Sequence, residues 1–149
     1  MVNISFYHLT RSPLDKALPK LLVKALDSGK RVVVMAAQDR LEELNARLWE
    51  ADPNSFVPHG SRKDGFAEDQ PVYLTSEEEN PNGAEILCVT DGRTPSFLNG
   101  FSRVLDCFNG LDDAEIASAR ERWKAYKAAG HTLTYLQQTD AGGWEKKAG

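Results

Sequence analysis

With 149 residues, 41% of them apolar and 27% charged, the chain has the make-up of one globular domain that can bury a core without disulfide or metal staples. The formal net charge of -4 argues against broad contact with a phosphate backbone, so direct binding of nucleic acid is not expected, and a local basic patch on such a chain points to an acidic partner. No apolar run reaches the length of a membrane span, and the first residues lack a basic region ahead of an apolar one, so neither a membrane anchor nor a signal peptide is expected.

Ile4 to His8 is the first strand candidate. Ser12 can cap a helix whose first turn accepts Pro13. Leu14, Ala17, Leu18, Leu21, Leu22, Ala25 and Leu26 then recur at helical spacing, and Gly29 is suited to end that helix in the left-handed region. Arg31 to Ala36 is a continuous apolar run after its first residue, the mark of a strand buried on both faces. Gln38 to Glu50 carries Leu41, Leu44, Leu48 and Trp49 as a second amphipathic helix, and Phe56 to His59 is a short extended piece. Gly60 to Gln70 reads as a charged surface loop. Pro71 to Thr75 and Glu85 to Thr90 are strands on either side of an acidic turn, in which Glu77, Glu78 and Glu79 are solvated. A loop at Asp91 to Pro95 and a short helix around Phe97 to Phe101 lead to a further strand, Arg103 to Phe108. Asp112 opens the last long helix, forms a D-x-x-E capping box with Glu115, and Gly130 ends that helix. His131 to Gln137 alternates as an edge strand does. Thr139 to Gly149 is a polar, Gly-rich tail expected to be mobile, which leaves residues 1–138 as a single domain.

Strands alternating with helices predict an α/β domain of three layers around a mostly parallel central sheet. Such sheets often hold nucleotides where a glycine loop joins a strand to the following helix. Here Gly29 and Lys30 follow a helix and precede a strand, the wrong end for an anion, and no G-x-G-x-x-G occurs. A standard phosphate loop is therefore missing, and no cofactor is expected. Cys88 and Cys107 sit in apolar strand-like runs without C-x-x-C spacing, as buried reduced thiols of a cytoplasmic protein would. His8, His59 and His131 are scattered without metal-ligand spacing. Neither a nucleophile motif nor any other catalytic constellation is present, so a binding protein and not an enzyme is expected. The rival reading is a small-ligand or nucleotide-binding enzyme using Asp91 and Arg93, which follow a buried strand where α/β enzymes often place active residues.

The last helix carries the strongest constellation. At about 100° per residue, Ile116, Ala119, Trp123 and Tyr126 share one stripe, with Arg120, Lys124 and Lys127 on one flank and Arg122 on the other. One reading turns the aromatic stripe to the core and leaves the cations near the helix C-terminus, where the dipole favours them. The other sets Trp123 at the rim of a pocket, with Arg120 and Lys124 free to hold carboxylates. Trp49 and Phe56 bracket the end of the second helix, either folding a loop onto the core or forming an exposed hot spot.

The run Ala119 to Tyr126 (ARERWKAY), followed by Ala-Gly and a short strand, resembles the chi subunit family of the bacterial DNA polymerase III holoenzyme. The Phe6-Tyr7 strand, Ser28 to Val32, and the stretch from Leu48 and Trp49 to Phe56 and His59 fit the same family in the same order, across nearly the whole chain. The resemblance implies a fold like that of nucleotide-binding sheets without the phosphate loop. It implies a non-catalytic accessory protein that grips the acidic C-terminal tail of single-stranded DNA-binding protein, which ends in Pro-Phe, and links it to the clamp loader. The positions matching the family's tail site are Arg120, Trp123 and Lys124, with Tyr135 of the final strand nearby; helix geometry adds Lys127. Trp123 stands where a Tyr is familiar, and Tyr135 where a small hydroxyl residue is. Trp49 and Phe56 match a surface that in relatives meets a second partner: the psi subunit, the clamp loader or a helicase.

Overall fold

Three four-residue strands are buried at every position: Val32–Met35 (β2), Val72–Thr75 (β4) and Ile86–Val89 (β5). Side chains on both surfaces of these strands are covered, as a parallel sheet between two helical layers requires. Longer strands flank them: Asn3–Leu9 (β1), Arg103–Asn109 (β6) and Thr132–Gln138 (β7). Two short strands, Gly60–Ser61 (β3) and Trp144–Ala148 (β8), form the ends. The computed structural model describes residues 2–10, 18, 21–22, 24–25, 27–43, 46, 60–61, 72–80, 83–90, 100–139 and 144–148. Among these the eight strands form one sheet in the order β3-β4-β2-β5-β6-β1-β7-β8, parallel throughout except for the antiparallel β7–β8 pair.

Because side chains alternate along a strand, each strand feeds two separate cores. One face gathers Tyr7, Val32, Val34, Leu74, Cys88 and Leu105 under Leu18, Leu21, Leu22 and Ala25, which are helical. The other gathers Phe6, Val33, Leu87, Val104 and Phe108 under Ala119 and Tyr126 of the long helix Asp113–Ala128. This is the expected three-layer α/β arrangement. No helix among the described residues is long and apolar enough to cross a membrane. Cys88 and Cys107 are both buried, with their sulfurs 4.0 Å apart. The facing Cys88 thiol, together with burial, pushes the Cys107 thiol well above its ordinary value, which disfavours a reactive thiolate.

The long helix begins and ends on local chemistry. Asp112 Oδ1 accepts from the backbone N–H groups of Ala114 (2.9 Å) and Glu115 (3.3 Å). Only half of the predicted capping box forms, because the Glu115 carboxylate accepts from Asn109 N (3.2 Å) and Asp112 N donates to the Asn109 carbonyl. At the other end Gly130 takes φ 89°, Gly130 N donates to the Lys127 carbonyl, and His131 N donates to that of Tyr126. These two bonds are a Schellman stop, and they need a residue free to adopt positive φ.

Four expectations change, the first at the start of the expected charged loop, where Gly60–Ser61 pairs with β4. β7 is not an edge strand, because β8 pairs along its outer side. β8 itself lies in the segment read as a mobile tail; Trp144 anchors it against Tyr7, with ring centroids 4.9 Å apart. The helix expected from Gln38 opens with a 3-10 turn, Gln38–Arg40.

Candidate functional site

The site is built where the long helix crosses β6, β1 and β7. Parallel register sets Phe6 between Asp106 and Tyr135, and in the next inward-facing row sets His8 between Phe108 and Gln137. One of these positions holds a charge. Asp106 is buried, and Arg122 from the helix meets it in a two-pronged contact, Nε to Oδ2 at 2.7 Å and Nη2 to Oδ1 at 2.9 Å. Arg122 Nη1 also donates to Ser118 Oγ at 2.6 Å. Burial holds the Asp106 carboxyl above its ordinary value, against the downward pull of the Arg122 guanidinium. A fork-to-carboxylate pair tolerates little rotation, so it fixes which face of the helix looks at the sheet. Nearby, burial raises the Tyr126 hydroxyl to about 12, assisted by the Asp106 charge.

With Arg122 turned in, Arg120 is carried about 200° away around the helix and comes out exposed. Trp123, one step on, is half-buried. Its indole meets Phe6 edge-on at 5.4 Å and Tyr135 edge-on at 6.0 Å. Between these rings lies a cavity of about 390 Å³, within the size range of ligand sites. Its floor is Phe6 and His8 of β1, Phe108 of β6 and Tyr135 of β7. Its helical wall is Ile116, Ala119 and Trp123, and Arg120 and Lys124 complete the lining as its cations.

The cavity is therefore apolar and aromatic inside and positive at its mouth. Arg120 has no carboxylate partner among the described residues. Lys124 Nζ stands 3.9 Å from Glu121 Oε1, both side chains about three-quarters exposed, so that contact restrains it little. On the floor, Tyr135 Oη hydrogen-bonds to His8 Nδ1. Burial lowers the His8 imidazole from its ordinary value and Arg120 lowers it further, against an opposing contribution from the Gly110 backbone. Burial raises Tyr135 while Arg120 opposes it. His131, by contrast, has a structural part: its Nδ1 accepts from Val2 N at 3.2 Å. No group of three or more metal-ligating side chains occurs among the described residues.

Four of the sequence-predicted site residues, Arg120, Trp123, Lys124 and Tyr135, line this one cavity. Lys127 is exposed on the same helix but is not among the lining residues. Trp49, Phe56, Asp91 and Arg93 lie outside the described residues. Sequence reasoning missed His8 and Phe108 as floor residues, and it left Arg122 on an outer flank although it is buried. The signal for Arg122 was available: Asp106 is a lone acid inside the apolar run RVLDCF, and a buried acid needs a cation.

The family model of the DNA polymerase III chi subunit, HolC, matches residues 1–134. The DNA polymerase III subunit chi of Haemophilus influenzae is 28% identical over 134 residues, covering 87% of this chain and 92% of that protein. That of Escherichia coli is 28% identical over 142 residues, covering 89% and 96%. A probable DNA polymerase III subunit chi of Rickettsia prowazekii is 34% identical over 90 residues, which is 60% of this chain and 54% of that protein. The matched residues run from β1 through the long helix and into β7, so they take in every lining residue of the cavity but Tyr135: this chain belongs to the DNA polymerase III chi subunit family.

Proposed function

We propose that this chain works in the cytoplasm as a non-catalytic accessory subunit of the replicative polymerase, and that its cavity captures the acidic C-terminal tail of single-stranded DNA-binding protein. The observation that carries this reading is the pairing of an aromatic cavity with two exposed cations, Arg120 and Lys124, in its lining. A terminal Phe ring would lie against Trp123 and Phe6, and its burial contributes about 1.5–3 kcal/mol. Arg120 and Lys124 would take the terminal carboxylate and neighbouring aspartates through charge-assisted bonds. Acids farther along the tail make exposed, screened contacts of about 0–1 kcal/mol each. An isolated tail thus binds on the order of micromolar, and several tails presented together bind far more tightly.

In this reading the rest of the surface links the captured protein to the clamp loader, through the psi subunit, the clamp loader itself or a helicase, with Trp49 and Phe56 as the second contact. Lys127, one turn beyond Trp123, is proposed to add long-range attraction and no direct contact.

The test is calorimetric titration of the full chain with an acidic peptide ending in Pro-Phe. Micromolar affinity is expected, falling tenfold or more in Trp123→Ala and falling again when the peptide terminus is amidated. Equal affinity in wild type and Trp123→Ala would remove the cavity as the site.

A further inference from the structure

His8 and Tyr135 meet on the cavity floor through a hydrogen bond whose direction one proton can reverse. Tyr135 Oη is bonded to His8 Nδ1. The other ring nitrogen, Nε2, is buried without a hydrogen-bond partner among the described residues and lies against Gly110, overlapping the position that a Cβ there would take. The Gly110 backbone favours a proton on the imidazole, and Nε2 is the ring nitrogen set against Gly110. A neutral ring protonated there leaves Nδ1 as the acceptor and the Tyr135 hydroxyl as the donor. In that state the hydroxyl hydrogen is engaged with the imidazole and unavailable to a ligand.

The ring is held in place for this. It stacks on Phe108 at 4.8 Å with 27° between the planes. Gly110 approaches it so closely that a Cβ there would overlap the imidazole and come within 2.8 Å of the Leu9 carbonyl.

We infer that His8 is a positioning residue for peptide capture, which on taking up a proton turns Tyr135 into a hydrogen-bond donor for the bound carboxylate. The inference rests on the tail-capture reading above. One proton from solvent goes to Nδ1, which then donates to Tyr135 Oη. The hydroxyl keeps its own hydrogen but no longer spends it on the imidazole, and it rotates that hydrogen toward the cavity. The imidazolium is also a third positive charge beside Arg120 and Lys124.

Among the described residues the groups around the ring are few. The long helix presents Arg120 and Lys124, β7 presents Tyr135 and the neutral Gln137, and β6 presents Phe108 and then the Gly110 backbone. The nearby acids are engaged elsewhere: Glu115 accepts from Asn109 N, and Asp106 is held by Arg122. Among the described residues the cavity lining holds no carboxylate, so a ligand carboxylate would supply the counter-charge.

Linkage gives the sign. In the free protein His8 lies below 6.5, through burial and Arg120. A carboxylate in the cavity raises it. The added affinity is fully present below the free-protein value and is lost as pH rises through the value in the complex.

The experiment is titration of the full chain with the Pro-Phe acidic peptide between about pH 5.5 and pH 7.5, in buffers of differing ionisation enthalpy, with the His8 ring followed by NMR. Affinity is expected to be about fivefold tighter at the acid end, with net proton uptake and an upward shift of the His8 titration on binding. His8→Leu is expected to remove the slope and the uptake, and Tyr135→Phe to reduce both by removing the hydroxyl donor while leaving the imidazolium charge. A flat profile in the wild type with an unmoved His8 titration, or a slope that survives in both variants, overturns this inference and leaves tail capture standing. Absence of binding at every pH overturns tail capture and this inference with it.

Discussion

The two faces of the sheet come from the same strands and differ in what they pack. One is mainly aliphatic: Val32, Val34, Leu74, Leu18 and Leu22 close against each other with almost no exposed surface, and the Tyr7–Trp144 ring pair closes its β8 end. The other is aromatic, with Phe6 near Phe108, Tyr126 and Trp123 at centroid distances of 6.5, 6.1 and 5.4 Å. Branched aliphatic chains interdigitate and fill space. Flat rings meeting edge to face leave a wedge where the set ends, and here the wedge ends at the helix wall and its two cations. The ring-lined face is the one that can receive another ring, while the aliphatic face only holds the fold together.

The comparison can be broken at its most stressed point first. Asp106→Ala leaves the Arg122 guanidinium buried and uncompensated, and is expected to remove about 3–5 kcal/mol of stability in urea unfolding. Replacing both partners with apolar residues (Asp106→Leu with Arg122→Met) is expected to recover most of that loss, because no charge is then stranded. On the aliphatic face, Leu22→Ala is expected to destabilise by about 2–5 kcal/mol while leaving peptide affinity unchanged at temperatures where the protein stays folded. A change in affinity there would mean that the two faces are not separable. Arg120→Ala acts the other way round. It is expected to leave stability within about 0.5 kcal/mol, weaken the peptide several-fold, and flatten the salt dependence of binding measured from low to physiological ionic strength.

The smallest effect is a pH dependence of stability without ligand. His8 is lower in the folded chain than its ordinary 6.5, so the unfolded chain binds more protons. Stability is therefore complete above about pH 6.5 and falls as the pH drops toward the folded value. Thermal melts of wild type and His8→Leu are expected to diverge in that window, with wild type losing more.

The contrast between faces was only partly legible in the sequence. The central strands were, because runs such as VVVM and ILCV have one plausible environment. The long helix was, because Asp112 and Gly130 punctuate it. That Arg120, Trp123 and Lys124 share one side of the helix followed from spacing, but spacing left open whether the indole faces the core or the rim of a pocket. The floor did not: Phe6, His8, Phe108 and Tyr135 come from three strands, and their meeting depends on strand order and register, which no local pattern encodes. Arg122 was misread because Arg120 and Lys124, two residues to either side, are exposed cations, and the long-range partner Asp106 draws it inward. β8 was missed because glycines flank it, and its anchor is the contact of Trp144 with Tyr7, more than a hundred residues earlier.

The Asp106–Arg122 clamp has a kinetic consequence. A helix locked in azimuth offers its slot ready-made, so an arriving chain end need not wait for the protein to rearrange. On the tail-capture proposal, association under excess peptide is then expected to follow a single exponential whose rate rises linearly with concentration in stopped-flow mixing, with the lifetime of the complex set by how quickly the ring slips back out.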